Sequence, residues 1–547
     1  MELTHPEQNL SDPHFQSRSE IIKSIRGDAV CDILVIGGGI QGATFAHLAA
    51  FNGFRTVLLE RDDYACGTSS RSSKIVHGGL RYLANFDFRQ VLDGLHCRED
   101  LLQVAAHLVR PHSFALAVDR GANLERLKLQ LGVTLYRLLS TLTKSRRALP
   151  APALLEDPEV RSRYTIIPFE DALMDDARLV IERIIAARQE GARCLNYAQV
   201  MAHYRRQDGT HAVKWRETGL HSDAPAYELN AGVIVNCAGQ WASQVEPVLS
   251  RNQKFRLVYS RGAHLLFSKP WRGPVLVRQA KDGRGRVYFI MPHFCGASAG
   301  TLVGTTEREI SAEQAQLGTA SVVEAGEAQE LLEALERDFP SLALDRSSLF
   351  YGFAGVRTMV AAKGERNIDT AKLSRRHLWV ESGGVLSLLG GKYTTARSIA
   401  EDGLRRLLKI TQSKLKLTSL RGRLLAGGGV VSQEFSGACR ENSVAETVIQ
   451  ACIQRFGSRV REMLAEPGLL QVVAGQVLQG EIELAIKHEQ ACTLDDLLSR
   501  RFGLEYTDGH GIAAAQQLCD SLGLGSGEAE RQIGDYKAKI ERGQALT

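Results

Sequence analysis

The chain is 547 residues long, 44% hydrophobic and 24% charged, with a formal net charge of +5. Its length calls for about two to four domains of ordinary globular composition, and the small charge excess excludes a nucleic-acid partner held by bulk charge. No run reaches the about 20 apolar residues of a membrane span, and the segment from Met1 to Ile21 has no apolar signal core, so neither a spanning helix nor a signal peptide is expected.

Residues 1–27 read as a mobile polar extension. Asp32-Ile33-Leu34-Val35-Ile36 then predicts a strand running into Gly37-Gly38-Gly39-Ile40-Gln41-Gly42, a glycine turn that opens a helix. Thr56-Val57-Leu58-Leu59-Glu60, about 20 residues further on, supplies a second strand with a carboxylate at its tip. This order holds a dinucleotide. Gly37 allows the tight turn, Gly39 lets the backbone approach a pyrophosphate, and Gly42 lets helix and strand pack closely. The helix N-terminus offers free amides and its positive dipole end to the phosphates, while Glu60 accepts from an adenosine ribose. A chance glycine turn is the competing reading, and the complete unit with its acid outweighs it.

A glycine- and serine-rich loop follows from Cys66 to Gly79, then helical periodicity from Phe88 to Leu108. Further on, Leu124, Leu127, Leu131, Leu135, Leu138 and Leu142 recur at helical spacing beside Arg126, Lys128, Arg137, Lys144, Arg146 and Arg147. That helix fits an anionic membrane surface, apolar side down, and fits equally a helix packed on its own domain. From Tyr197 to Phe267 the pattern turns to short alternating strands, among them Gly232-Val233-Ile234-Val235-Asn236-Cys237-Ala238-Gly239. With strand-like runs from Val287 to Pro292 and Thr301 to Gly304, they read as an antiparallel sheet covering a substrate. A helix is predicted from Val322 to Phe339. Beyond Gly427-Gly428-Gly429, about 100 residues are helix-patterned. The ten cysteines form no CxxC pair and no His/Cys cluster has ligand spacing. Neither a disulfide framework nor a metal site is expected, and a reducing cytoplasm fits.

The densest chemistry lies in Thr68-Ser69-Ser70-Arg71-Ser72-Ser73-Lys74-Ile75-Val76-His77-Gly78-Gly79-Leu80-Arg81-Tyr82. Hydroxyls and backbone amides in such a run bind phosphate oxygens, and its glycines keep side chains off a flat ring. A polar surface loop is the plainer reading, but it leaves the His77 and Arg81 spacing unexplained.

With this run the chain resembles the FAD-dependent glycerol-3-phosphate dehydrogenases of the aerobic, membrane-associated type. These are flavoproteins of the glucose-oxidase-like and D-amino-acid-oxidase-like group. The resemblance is carried by the glycine turn, by Ser69 through Leu83, and by Asp175-Asp176-Ala177-Arg178-Leu179 and Ser260-Arg261-Gly262-Ala263-His264. Gly304-Thr305-Thr306-Glu307, Ala354-Gly355-Val356-Arg357, Leu373-Ser374-Arg375 and Gly390-Gly391-Lys392-Tyr393-Thr394-Thr395 extend it, as does the tail from Glu481 to Leu504.

The resemblance implies an α/β fold. A Rossmann-like FAD-binding domain is interleaved with an antiparallel-sheet cap domain over 28–420, and a C-terminal α-helical domain covers 430–545. It implies hydride transfer from C2 of sn-glycerol 3-phosphate to the flavin N5, giving dihydroxyacetone phosphate, with electrons passed to quinone. Such a protein works in the cytoplasm, peripheral on the cytoplasmic face of the membrane.

Arg357 and Arg375 are expected on the phosphate, with Arg81, Tyr82 and Lys392 lining the pocket. A dianionic ester favours planar guanidinium groups that bind two oxygens at once. The C2 hydroxyl proton needs an acceptor, and C2–H must be held in a near-attack pose. His264 and His77 are the available imidazoles; His264 is preferred for substrate contact and as base, His77 for a place against the isoalloxazine. On the cofactor side, Ser70 and Ser73 match pyrophosphate positions, and Gly78 and Gly79 keep side chains off the ring. Asn236, Ala238 and Gly239 form a second turn along the FAD. Gly391, Lys392 and Thr394 open a helix whose N-terminal end faces the flavin N1–O2 edge.

Three departures stand out. Thr358 stands where the family has proline, the NATGPW turn becomes Asn236-Cys237-Ala238-Gly239-Gln240-Trp241, and Tyr393 and Ala396 alter GGKLTTYR. They leave a longer polyol phosphate open as the substrate. An oxygen-reducing oxidase and a flavin-bound sensor without turnover are the other readings; retention of Arg81, Arg357, Arg375 and Lys392 argues against the sensor. The C-terminal domain carries no readable chemistry. Bracing the fold, pairing subunits in a homodimer and membrane contact are all open to it.

Overall fold

The computed structural model describes residues 16–27, 30–80, 83, 87–143, 155, 157–219, 225–247, 249, 254–283, 285–295, 298–362, 377–431, 433–473, 475 and 477–545. Two large sheets organise them. In the first, Val30–Ile36 lies parallel between Thr56–Leu59 and Tyr227–Asn236. The second half of Val30–Ile36 is wholly buried, as a strand covered on both faces must be. Arg193–Leu195 and Val385–Leu389 extend the parallel set on its two sides. Helices Ile40–Phe51, Asp176–Gln189 and Ala396–Ile410 pack on it through Phe45, Leu179 and Leu404. Asp176–Gln189 is buried almost all round, so it lacks the one-sided pattern that marks a surface helix.

The strands before residue 237 correct the sequence reading. Ala198–Arg205 and His211–Glu217 form a hairpin that joins Tyr227–Asn236 in the first sheet, not in the substrate-covering one. The parallel ladder from Val30↔Asn230 to Ile36↔Asn236 recruits them there. Alternation along a strand says which faces it has but not which sheet it joins.

The second sheet is built on Val109–Asp119, Tyr164–Met174, Phe255–Phe267 and Leu349–Ala362, with Val287–Cys295 and Ser298–Gly304 between. Val109–Asp119 and Tyr164–Met174 pair along their whole length and carried no sequence prediction. Pro111 and Pro168 lie inside them, and proline argues against a strand unless the tertiary pairing accommodates it.

Part of the expected N-terminal extension is ordered. Arg18–Ser24 is a helix closed by a Ser17/Glu20 capping box, and Ile21, Ile22 and Ile25 are buried with Val213 and Trp215. A polar composition concealed a small apolar face.

Helix Asn123–Leu142 packs on its own domain along one side. Val133 and Tyr136 face inward, with Leu129, Leu135 and Leu139 against the same core. Leu124, Leu127, Leu131, Leu138 and Leu142 point outward, between 53% and 66% exposed. Leu135 therefore departs from the outward stripe and packs against the core. Arg137 pairs with Glu170 at 2.9 Å, while Lys144, Arg146 and Arg147 lie outside the described residues. Among the described residues no helix is long and apolar enough to cross a membrane.

The C-terminal helical domain includes Gln433–Glu441, Glu446–Phe456, Gln479–Lys487, Ala515–Ser521 and Ser526–Gln544. It shares a core with the second sheet, in which Leu494, Leu498 and Tyr536 are buried together with Phe169, Leu266 and Phe353. Buried ion pairs tie it to the first sheet's helices and loops. Arg178 meets Glu489 at 2.6 Å, and Arg501 meets Asp63 at 2.7 Å.

Candidate active site

The dinucleotide end is made mostly of backbone. Gly37 has φ of 109°, and a Cβ there would sit 2.7 Å from the Cys237 carbonyl oxygen, because the turns ending two neighbouring strands abut. At Gly42 a Cβ would run into the Gly37 carbonyl, and at Gly39 it would lie 3.0 Å from Ser69 Oγ. Helix Ile40–Phe51 starts with no side-chain cap at Gly39, and the Ile40 amide donates to Ser69 Oγ at 3.0 Å. Glu60 accepts from the Gly38 and Asp62 amides at 2.6 and 2.9 Å. Burial pushes its carboxyl up to about 7. A turn free of side chains, a helix N-terminus with no cap from its own first residue and an acid at the next strand's tip fit the phosphates and ribose of a dinucleotide.

The other expected cofactor residues differ in their surroundings, and only some of them adjoin this end. Asn236 donates to the Ala242 carbonyl and Ser387 Oγ and accepts from the Ala238 amide, so its side chain shapes the turn itself. Gly239 follows, with nothing within 4 Å of where its Cβ would be. Gly391 has φ of 96°, Thr394 is buried, and Ala396–Ile410 begins directly after, as the sequence predicts. The Lys392 carbonyl accepts from Gln41 Nε2 at 2.9 Å, which joins the two helix starts. Gly78 packs against Leu95 and donates its amide to the Tyr136 hydroxyl at 2.8 Å, a packing reason for glycine that the motif concealed. Gly79, at φ of 90°, completes that turn, and Ser70 is buried beside Gly67.

The substrate end is built around side chains of two neighbouring strands. Phe255–Phe267 pairs with Leu349–Ala362 so that His264 stands opposite Phe353 and Ser260 opposite Arg357. The His264 ring stacks on Phe353 at 4.9 Å and 13°. Its Nε2 lies 3.0 Å from Ser73 Oγ, and its buried Nδ1 has no hydrogen-bond partner among the described residues. The Ser73 hydroxyl, expected on the pyrophosphate, is thus engaged at the imidazole. Burial first, then the charges of Arg357 and Lys74, push His264 down to about 3, so the ring is neutral and its Nδ1 lone pair is available to accept a hydrogen bond. Arg357 donates to Thr305 Oγ1 at 3.0 Å. Gly262 leaves room for its guanidinium, since a Cβ there would strike it. Arg261, one residue along and so on the other face, pairs instead with Glu324 and Glu327 at 2.6 and 2.8 Å. His77 is half-buried after Ile75–Val76, and Arg81, Tyr82 and Arg375 lie outside the described residues.

Sequence reasoning gave no role to Lys74, Asp176, Thr305 or Phe353. Lys74 Nζ is bonded to Asp176 Oδ1 and donates to the Ser70 carbonyl at 2.9 Å. Asp176 Oδ2 accepts from the Ser72 amide and hydroxyl at 3.1 and 2.7 Å, and its own carbonyl is bonded by the Tyr393 hydroxyl. One buried aspartate therefore fixes the serine loop and the 391–395 turn together. Its place in a shared motif was the only signal available.

The geometry agrees with what the chain is similar to. Residues 32–397 match the family model described as FAD dependent oxidoreductase, and 421–524 match the C-terminal domain of alpha-glycerophosphate oxidase. The D-erythritol 1-phosphate dehydrogenase of Brucella abortus is 34% identical, over 86% of this chain and 94% of that protein. The glycerol-3-phosphate dehydrogenase of Mycobacterium leprae is 28% identical, over 93% of this chain and 88% of that one. The solved structure of glycerol-3-phosphate dehydrogenase from Bacillus halodurans, complexed with FAD, shares the fold with a TM-score of 0.73 at 21% identity, covering 97% of this chain and 99% of that chain. The chain belongs to the FAD-dependent oxidoreductases, within the glycerol-3-phosphate dehydrogenase family.

Proposed function

We propose that the protein oxidises the C2 hydroxyl of sn-glycerol 3-phosphate to dihydroxyacetone phosphate and passes the electrons to a membrane quinone. The observation that carries this reading is the neutral His264, with a buried Nδ1 facing no partner among the described residues, on the strand next to Arg357. Bound FAD supplies a hydride acceptor at N5. In the tautomer with its proton on Nε2, His264 donates to Ser73 Oγ, and the Nδ1 lone pair takes the hydroxyl proton once the substrate's dianion offsets the neighbouring cations. Arg357 provides a fixed guanidinium for the phosphate, with Arg81, Arg375, Tyr82 and Lys392 proposed around the same substrate and His77 beside the ring system. The glycine turn, Glu60, Ser70 and the Asn236 and Gly391 turns are proposed to hold the cofactor.

The purified yellow protein should bleach when sn-glycerol 3-phosphate is added without oxygen. Absence of bleaching by that ester rejects the substrate. A second reading, a four-carbon polyol phosphate such as D-erythritol 1-phosphate, is favoured by the higher identity of the Brucella abortus relative. Bleaching by that ester alone selects it. Stoichiometric peroxide that added quinone does not diminish would replace quinone by oxygen as acceptor.

Membrane contact at the cytoplasmic face is part of the proposal. The five outward leucines of Asn123–Leu142, with Arg126 and Lys128 among them, suit an anionic interface that delivers quinone.

A further inference from the structure

The C-terminal helical domain has no part in the reaction proposed above, yet one of its side chains reaches the substrate end. Tyr506 closes the short turn Leu504–Tyr506. Beside it, buried Glu505 accepts from the Tyr351 hydroxyl at 2.6 Å and from Lys539 Nζ at 2.9 Å, which fixes the turn against strand Leu349–Ala362. The Tyr506 ring lies 5.3 Å from Phe353, whose other neighbour is the His264 imidazole at 4.9 Å. It also lies 5.1 Å from the Lys74 ammonium, which stands 5.8 Å from Phe353. Lys74 is therefore boxed by two aromatic rings and the Asp176 carboxylate. Both ring spacings suit aromatic pairing, and both ammonium distances suit a cation–π contact. The Tyr506 hydroxyl donates to the Ser70 carbonyl at a long 3.5 Å, and the ring is the part that meets Phe353 and Lys74.

We propose that Tyr506 is a positioning residue of this active site: its ring holds Phe353 against His264 and caps Lys74. The C-terminal domain thereby sets the geometry of a reaction it does not touch. This rests on the reading of His264 as the imidazole that meets the substrate.

The test uses the full-length flavoprotein with Tyr506→Met, Tyr506→Phe, Lys74→Met and the double variant Tyr506→Met/Lys74→Met. Methionine fills the space without a ring face. Tyr506→Met should slow the limiting rate of anaerobic flavin reduction about tenfold, with substrate affinity within about twofold of wild type. Tyr506→Phe should recover the rate to within about twofold, because the ring is kept. The double variant should lose less than the product of the two single losses, since Tyr506 and Lys74 share one contact. A wild-type rate in Tyr506→Met, a Phe variant as slow as the Met variant, or losses that multiply in the double variant would each overturn the proposal. Should Tyr506→Met fail to fold, Tyr506→Phe decides: a rate near wild type supports the ring, and a tenfold loss refutes it. No reduction of wild type by any polyol phosphate counts against the substrate reading alone. The visible circular dichroism of bound FAD then decides, changed in Tyr506→Met and restored in Tyr506→Phe if the proposal holds, unchanged in both if it fails.

Discussion

The two ends of the candidate site are built by opposite means. The dinucleotide end comes largely from one continuous stretch, the strand–turn–helix–strand unit from Val30 to Leu59, and presents mostly backbone. The substrate end gathers Ser73, Lys74, Asp176, His264, Thr305 and Arg357 from five distant segments and presents side chains. The first should therefore fail when atoms are added, the second when charges or rings are removed.

The sharpest break is Gly42→Val. Its Cβ has nowhere to go but the Gly37 carbonyl, so the protein should purify without flavin, read from visible absorbance against protein content. Flavin at the wild-type level would show that this end tolerates bulk after all. Next is Asp176→Ala, which leaves Lys74 without its carboxylate and the Ser72 donors without an acceptor. A loss of about 3 kcal/mol in denaturant unfolding is expected. Arg357→Met should be narrower still: flavin retained, and substrate affinity weakened about 10- to 100-fold in an anaerobic titration. Loss of flavin in that variant would move Arg357 to the other end of the site.

Acid should act on both ends through buried imidazoles. His264 is held down to about 3, and burial followed by the Arg183 and Arg423 charges holds His47 well below the usual histidine value. Below about pH 6.5 the unfolded chain takes up protons that these native imidazoles refuse, so stability falls as pH drops from there toward 3. His47→Leu should flatten the acid side of a plot of urea midpoint against pH; an unchanged slope would remove His47 from the account. The smallest effect on the fold belongs to the double variant Leu131→Gln/Leu138→Gln. Both side chains are exposed, so stability should shift by no more than about 0.5 kcal/mol while co-sedimentation with anionic vesicles is lost. Undiminished sedimentation would reject the leucine face as the membrane contact.

Legibility divided along the same line. Gly37, Gly39, Gly42 and Glu60 were readable because their spacing is enforced by local backbone geometry within one unit. His264 and Arg357 were found through motifs, but their pairing across strands, the stacking on Phe353 and the engagement of Ser73 depend on register. Val109–Asp119 and Tyr164–Met174 escaped because internal prolines mask strands that tertiary pairing sustains. Asp176–Gln189 escaped because a helix buried on every side shows no stripe.

What the amino-acid order determined alone is the cofactor-binding unit, the family and the helical character of the last hundred or so residues, since periodicity and glycine spacing act over one or two turns of chain. Only the tertiary structure decided which sheet each strand joins, that the leucines of Asn123–Leu142 divide between core and surface, and that Asp176 and Tyr506 both meet Lys74. Those outcomes depend on contacts between residues far apart in the chain, and a buried charge or ring acquires its role from the partners that folding brings to it.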